Sequence, residues 1–193
     1  SKIGNFKSIS QKEIFKMEYW PLEMAKITNR KRLELEGNIV VITGGCGTIG
    51  IATAQEFLKE GAEVVLLDNN IKSIKRLPEN IIKRCKIIKC NLTNNIEVKN
   101  SFNNIIKTYG GIDILISNAG KAFEGKIAEV DSKIIKNSFE INFFSHQYAS
   151  QNAVNIYLKQ NFGGLILFNI SKQSINPGNN FGPYGLPKST TLF

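Results

Sequence analysis

The stretch Thr43-Gly44-Gly45-Cys46-Gly47-Thr48-Ile49-Gly50 constrains this chain more than any other. It follows the apolar run Ile39-Val40-Val41-Ile42 and precedes a helical pattern over Ile51 to Glu60, with Gly61 as its stop. A short unbroken apolar run reads as a strand buried on both faces. A glycine just past the pattern reads as a left-handed helix end. Gly45, Gly47 and Gly50 form G-x-G-x-x-G between the two elements. Glycines there let the chain turn tightly and let a pyrophosphate approach the free N–H groups of a helix N-terminus. Gly44, Gly45, Gly47, Thr48, Ile49 and Gly50 are therefore the candidate phosphate-contacting residues.

The same rhythm continues downstream. Val64 to Leu67 reads as a second buried strand ending in Asp68, and Cys85 to Cys90 as a third. Asn94 to Tyr109 reads as a helix with Val98, Phe102, Ile105 and Ile106 on one stripe. Ile112 to Ile116 is a fourth strand, followed by the turn Ser117-Asn118-Ala119-Gly120. Ser132 to Gln160 reads as one long helix, and Leu165 to Phe168 as a fifth strand. Strands separated by helical segments predict an α/β fold with a doubly wound parallel sheet, the Rossmann arrangement. Asp68 lies 18 residues past Gly50. An acid there accepts hydrogen bonds from the adenosine ribose and repels a 2′-phosphate, so NAD is the expected cofactor rather than NADP. Lys72 and Arg76 nearby leave room for a phosphate.

Composition removes other classes. With 42% hydrophobic residues over 193 positions the chain holds enough apolar material for a core. No apolar stretch approaches the ~20 residues of a membrane span. Three cysteines without an export signal suggest a reducing cytoplasm. The net charge of +9 invites a nucleic-acid reading. Yet the basic residues are nearly all lysines and are scattered, except over Lys72 to Lys89. A nucleic-acid binder more often gathers arginines and aromatics on one face. Cysteines 46, 85 and 90 with one histidine make no zinc site, and no metal is expected. Cys46 reads as a small filler in the loop, and His146, one turn after Asn142, as a structural or interface histidine.

Tyr184 and Lys188 are four apart, which puts both on one helical face, with Pro187 tolerable only in a first turn. Ser171 lies thirteen residues earlier. The ordered set of glycine loop, Asp68, Ser117-Asn118-Ala119-Gly120, Asn142, Ser171, Tyr184 and Lys188 resembles the short-chain dehydrogenase/reductase family over about residues 37–193. The resemblance implies that Tyr184 exchanges a proton with the substrate oxygen. A free tyrosine titrates near ~10, and Lys188 would stabilise its phenolate and bind the nicotinamide ribose. Ser171 would hydrogen-bond the substrate, Asn142 would hold a relay water, and Asn118, Ala119 and Gly120 would line the cofactor. Asn91, where the family usually has Asp, would bond the adenine beside Leu92. The loop departs from the family's usual spacing. Gly44, Gly47 and Gly50 fit T-G-x-x-G-x-x-G, as in the branch containing sugar-nucleotide epimerases, so an epimerase or dehydratase stays open, as does a non-catalytic dinucleotide-binding module.

The flanks carry a narrower likeness. Glu18-Tyr19-Trp20-Pro21-Leu22-Glu23, Phe168 to Gln173, Asn176-Pro177-Gly178 and Phe181 to Gly185 resemble the dehydrogenase part of bifunctional aldolase/short-chain dehydrogenase proteins. That likeness implies a rhamnulose-phosphate-type aldolase domain upstream, a linker over residues 1–36 with a short helix near Pro21, and a lactaldehyde-like substrate. It also implies a homo-oligomer for the full-length protein. Five strands are legible where the fold ordinarily has about six. The expectation is a sheet truncated at its C-terminal side, marginally stable and inactive by itself, with Leu165 to Phe168 an uncovered edge.

Overall fold

The computed structural model describes residues 10–16, 32–70 and 77–193. The expected helix near Pro21, most of the linker, Lys72 and Arg76 lie outside the described residues. The chain divides into two compact units, Ser1–Leu33 and Glu34–Phe193. Within the first, residues 11–16 form a short helix whose start is held by Glu13, which accepts from Ser10 N and Oγ.

The second unit is built on a five-stranded parallel sheet in the order β3-β2-β1-β4-β5. The strands are β1 (Ile39–Thr43), β2 (Glu63–Asp68), β3 (Cys85–Lys89), β4 (Ile114–Ser117) and β5 (Leu165–Phe168). Helices α1 (Thr48–Lys59), α2 (Glu79–Arg84), α3 (Asn95–Tyr109), α4 (Ser132–Phe139), α5 (Ser145–Gln160) and α6 (Gly182–Leu192) connect or follow them. This is the doubly wound α/β fold that the alternation predicts. Val41, Val65 and Leu115 pack on one face of the sheet with Phe102, Ile105, Ala149 and Ala153. Val40, Ile42, Val64, Leu66, Ile114 and Ile116 pack on the other with Ala54, Leu58 and Ile81. Sheet order reverses between β1 and β4, so the loops after these two strands diverge and leave a crevice at their C-terminal ends.

Several elements differ from the sequence reading: helix α2 had no counterpart in it, and β4 runs over Ile114–Ser117 rather than Ile112 to Ile116. Helix α1 starts at Thr48 rather than Ile51, because the loop's last glycine is already helical. The long helix over Ser132 to Gln160 is broken: Glu140–Phe144 forms a π-helical turn between α4 and α5. Helix α6 begins at Gly182, so Pro187 sits in its second turn, where its missing N–H leaves the Pro183 carbonyl without its usual helical partner.

Candidate active site

A cavity of about 1070 Å³ opens along the C-terminal ends of all five strands. Gly44, Gly47, Thr48, Ile49 and Gly50 line it after β1, Asp68 at the end of β2, and Asn91 and Leu92 after β3. Asn118, Ala119 and Gly120 follow β4, Ser171 follows β5, and Tyr184 and Lys188 close it from α6. The volume is in the range of sites that enclose sizeable organic ligands. Of the proposed site residues, Gly45 and Asn142 are not on the cavity wall.

The loop is shaped for close approach. Gly44 has φ +62°, and a Cβ there would meet the Ala119 Cα at 2.9 Å. A Cβ on Gly50 would meet the Gly44 oxygen at 2.6 Å. Gly47 caps α1 without any side-chain acceptor, so the first N–H groups of the helix are left facing the cavity. Gly45 acts from behind, where a Cβ would strike Leu66. Cys46 is buried in the core beneath the loop, and burial pushes its thiol up to about 11, with Asp68 adding to the effect.

Asp68 braces this loop. One carboxylate oxygen accepts from Cys46 N at 3.0 Å and the other from Asn70 N at 2.8 Å. Each oxygen keeps a lone pair for a ligand hydroxyl. The Asn91 side-chain oxygen accepts from Thr93 N and Oγ1, which leaves its amide N–H₂ as the group free to meet a ring.

Residues that the sequence did not single out tie the strand ends together. Thr43 Oγ1 accepts from Asn118 N at 2.9 Å and Ala119 N at 3.1 Å. Asn118 Nδ2 donates to Thr43 O, and its oxygen accepts from Asn169 Nδ2 at 2.9 Å. The ends of β1, β4 and β5 are thereby stitched into one rigid floor. Asn142 lies in the π-turn, fully buried. Its side chain accepts from Lys121 N at 3.0 Å and donates to Lys121 O at 2.9 Å and Ser138 Oγ at 3.1 Å. Its backbone oxygen accepts from Thr191 Oγ1 at 2.7 Å.

The model of the short chain dehydrogenase family matches residues 38–191. The chain belongs to that family. The family is one of oxidoreductases that use nicotinamide cofactors. A second family model, the second domain of class II aldolases, matches residues 1–27. The uncharacterized oxidoreductase YuxG of Bacillus subtilis (strain 168) is 31% identical over 193 residues, covering 97% of this chain and 28% of that protein. Short chain aldehyde dehydrogenase 1 of Euphorbia lathyris is 31% identical over 72% of this chain and 50% of its own. The chain thus spans half or less of the length of these two relatives. The crystal structure of an NAD+-bound xylitol dehydrogenase superposes with a TM-score of 0.76 at 23% identity, over 82% of this chain and 62% of that one, a likeness of fold.

Ser171 caps the 3₁₀ turn Lys172–Ser174, its Oγ accepting from Gln173 N. Tyr184 is half-buried, edge-on to Phe181 at 6.5 Å. Lys188 is 2% exposed and its Nζ donates to Asn169 O at 3.0 Å. Burial pushes its ammonium down to about 8. His146 lies beside this lysine. It is 1% exposed, with Nδ1 at 2.7 Å from Ser117 Oγ and Nε2 at 3.3 Å from Lys188 Nζ. Burial first, then the neighbouring Lys188, push its ring down to about 3. The only sequence signal for this contact was the one-turn spacing from Asn142. Among the described residues no helix is long and apolar enough to cross a membrane.

Proposed function

We propose that this chain carries an NAD-dependent dehydrogenase site that moves a hydride between nicotinamide and a small hydroxyl or carbonyl substrate. The observation that carries the reading is one cavity lined both by Ser171, Tyr184 and Lys188 and by an uncapped helix N-terminus in a glycine loop. The cradle fits a pyrophosphate: the helix N-terminus has no side-chain cap, and the absence of a Cβ on Gly50 lets the loop backbone at Gly44 and Gly45 fold tightly over it. Gly44, Gly47, Thr48, Ile49 and Gly50 would hold the pyrophosphate, Asp68 the adenosine ribose, Asn91 and Leu92 the adenine. Asn118, Ala119 and Gly120 would line the path to the nicotinamide ribose, which Lys188 would bind. The bound nicotinamide supplies the hydride donor or acceptor.

The remaining chemistry belongs to the chain. Ser171 orients the substrate oxygen by a hydrogen bond, and Tyr184 takes or gives that oxygen's proton. Lys188 sets a positive charge beside the phenolate that forms when Tyr184 gives up its proton. Asn142 holds the Lys121 segment and offers its backbone oxygen to a relay water through the lone pair that Thr191 leaves.

Support for NAD over NADP is the Asp68 carboxylate on the cavity wall, which repels a 2′-phosphate. The match of residues 1–27 to an aldolase domain supports an aldolase/dehydrogenase fusion, with residues 1–36 as linker and 37–193 as the dehydrogenase part. YuxG extends far beyond the matched stretch, which supports the same organisation. A lactaldehyde-like substrate, a cytoplasmic location and a homo-oligomeric full-length protein go with that reading. Calorimetric titration of the full natural polypeptide with both cofactors tests it. The expected result is NAD binding at least tenfold tighter, about 1.4 kcal/mol. Equal or tighter NADP binding would remove Asp68 from its role.

A further inference from the structure

Lys188 has three N–H bonds to place and is almost wholly buried. Asn169 O takes one at 3.0 Å, and His146 Nε2 lies at 3.3 Å from the same nitrogen. An ammonium only donates, so Nε2 must accept, and a neutral ring then carries its proton on Nδ1. The acceptor for that proton is Ser117 Oγ at 2.7 Å, itself fully buried at the end of β4. Three residues from β4, α5 and α6 therefore form one chain of donors: Lys188 to His146 to Ser117.

We propose that His146, oriented by Ser117, is a positioning residue that fixes the Lys188 ammonium so that its remaining N–H is presented to the cavity shared with Tyr184. This rests on the reading of Tyr184 and Lys188 as the proton-exchanging pair. A protonated ring would set an N–H against the ammonium. That state is kept empty at ordinary pH, since burial and Lys188 both oppose it. Among the described residues, Lys188 is the one charged group acting on the ring. Its other neighbours are uncharged: Ser117 at the end of β4, the Ala119 backbone after it, and Phe168 of β5 with its ring centroid at 6.1 Å. Tyr184 lines the same cavity as Lys188 and is the further titratable group on α6. An acceptor that stays uncharged at neutral pH takes a hydrogen bond from the ammonium without neutralising its charge as a carboxylate would.

The test compares His146→Phe, which keeps a ring and loses the acceptor, with His146→Gln, which restores an uncharged one, in the full natural polypeptide. For His146→Phe the expectation is a kcat loss of about ten- to a hundredfold with cofactor Kd near that of the parent. The alkaline fall-off of kcat/KM, where Lys188 loses its proton, should move about one pH unit lower, because a hydrogen bond to the ammonium is lost. His146→Gln should return both most of the way. An unshifted profile in His146→Phe, or equal losses in both variants with lowered melting temperature, would make His146 merely structural and overturn the proposal. Nitrogen NMR of the imidazole gives a reading that needs no turnover. A neutral Nδ1–H ring from about pH 5 to 8 supports the proposal, and an Nε2–H ring or one titrating near ~6.5 contradicts it. A parent lacking any Tyr184-dependent turnover would sink the proposed activity, while the NMR would still decide the Lys188–His146 contact.

Discussion

Lys188 is where function and stability oppose each other most clearly. Its folded-state ionisation lies near 8, below that of an exposed lysine, because the side chain is buried. The folded protein therefore binds this proton less tightly than the unfolded chain, and stability rises as pH passes from about 8 towards the unfolded value near ~10.4. Below that window the full penalty is present, on the order of 3 kcal/mol. Lys188→Met should accordingly melt higher than the parent at neutral pH, with the gain shrinking towards pH ~10. Melting curves across pH check this, and a gain independent of pH would contradict it. At this scale type and spacing single out Asp68, Ser171, Tyr184 and Lys188, and all four line the cavity. Nothing in the spacing announces the cluster at Lys188, because His146 and Asn169 reach it from α5 and the end of β5, and Ser117 of β4 joins only through His146. No local periodicity reports a meeting made by parallel strand packing.

Among the elements, the π-turn Glu140–Phe144 was invisible in the sequence. Its residues keep the apolar spacing of a continuous helix, and one extra residue per turn leaves no compositional mark. Its consequence is specific: Asn142 points both amide groups at the Lys121 backbone while its own carbonyl holds Thr191. Asn142→Ala would leave a backbone donor and an acceptor at Lys121 without these partners. In this partly buried setting each loss costs about 1 kcal/mol. A melting temperature lowered by several degrees is expected, together with reduced turnover. Unchanged melting would show that the π-turn does not hold the Lys121 segment. Helix α6 offers the complementary case. Tyr184 and Lys188 were placed on one face correctly, whereas the tolerance of Pro187 depended on a helix start that the sequence did not mark.

For the whole sheet, the two faces are unequally covered at β5. Leu165 and Leu167 align with Ile114 and Ile116, so they continue the face on which α1 and α2 pack nearer β1 to β3. Both are at least half exposed, and Phe168 on the opposite face is 39% exposed. The predicted uncovered edge is therefore present among the described residues. An apolar, unpaired strand edge favours self-association. Residues 1–193 expressed alone should associate in a concentration-dependent way, and Leu167→Lys should reduce it, as read by light scattering. Equal scattering from both would show that β5 is not the sticky surface. The strand order and crevice position follow directly from alternating buried runs, and the topology rule for parallel crossovers places the site at the β1/β4 divergence.

The central claim is that Tyr184 exchanges the substrate proton in a cavity that binds a nicotinamide dinucleotide. It is tested most directly by comparing parent and Tyr184→Phe in the full natural polypeptide. NAD reduction would be followed with lactaldehyde and related short hydroxy compounds, with NAD binding titrated in parallel. The account predicts turnover in the parent, a loss of at least about a hundredfold in Tyr184→Phe, and an NAD Kd nearly unchanged. Substantial activity retained by Tyr184→Phe would contradict it.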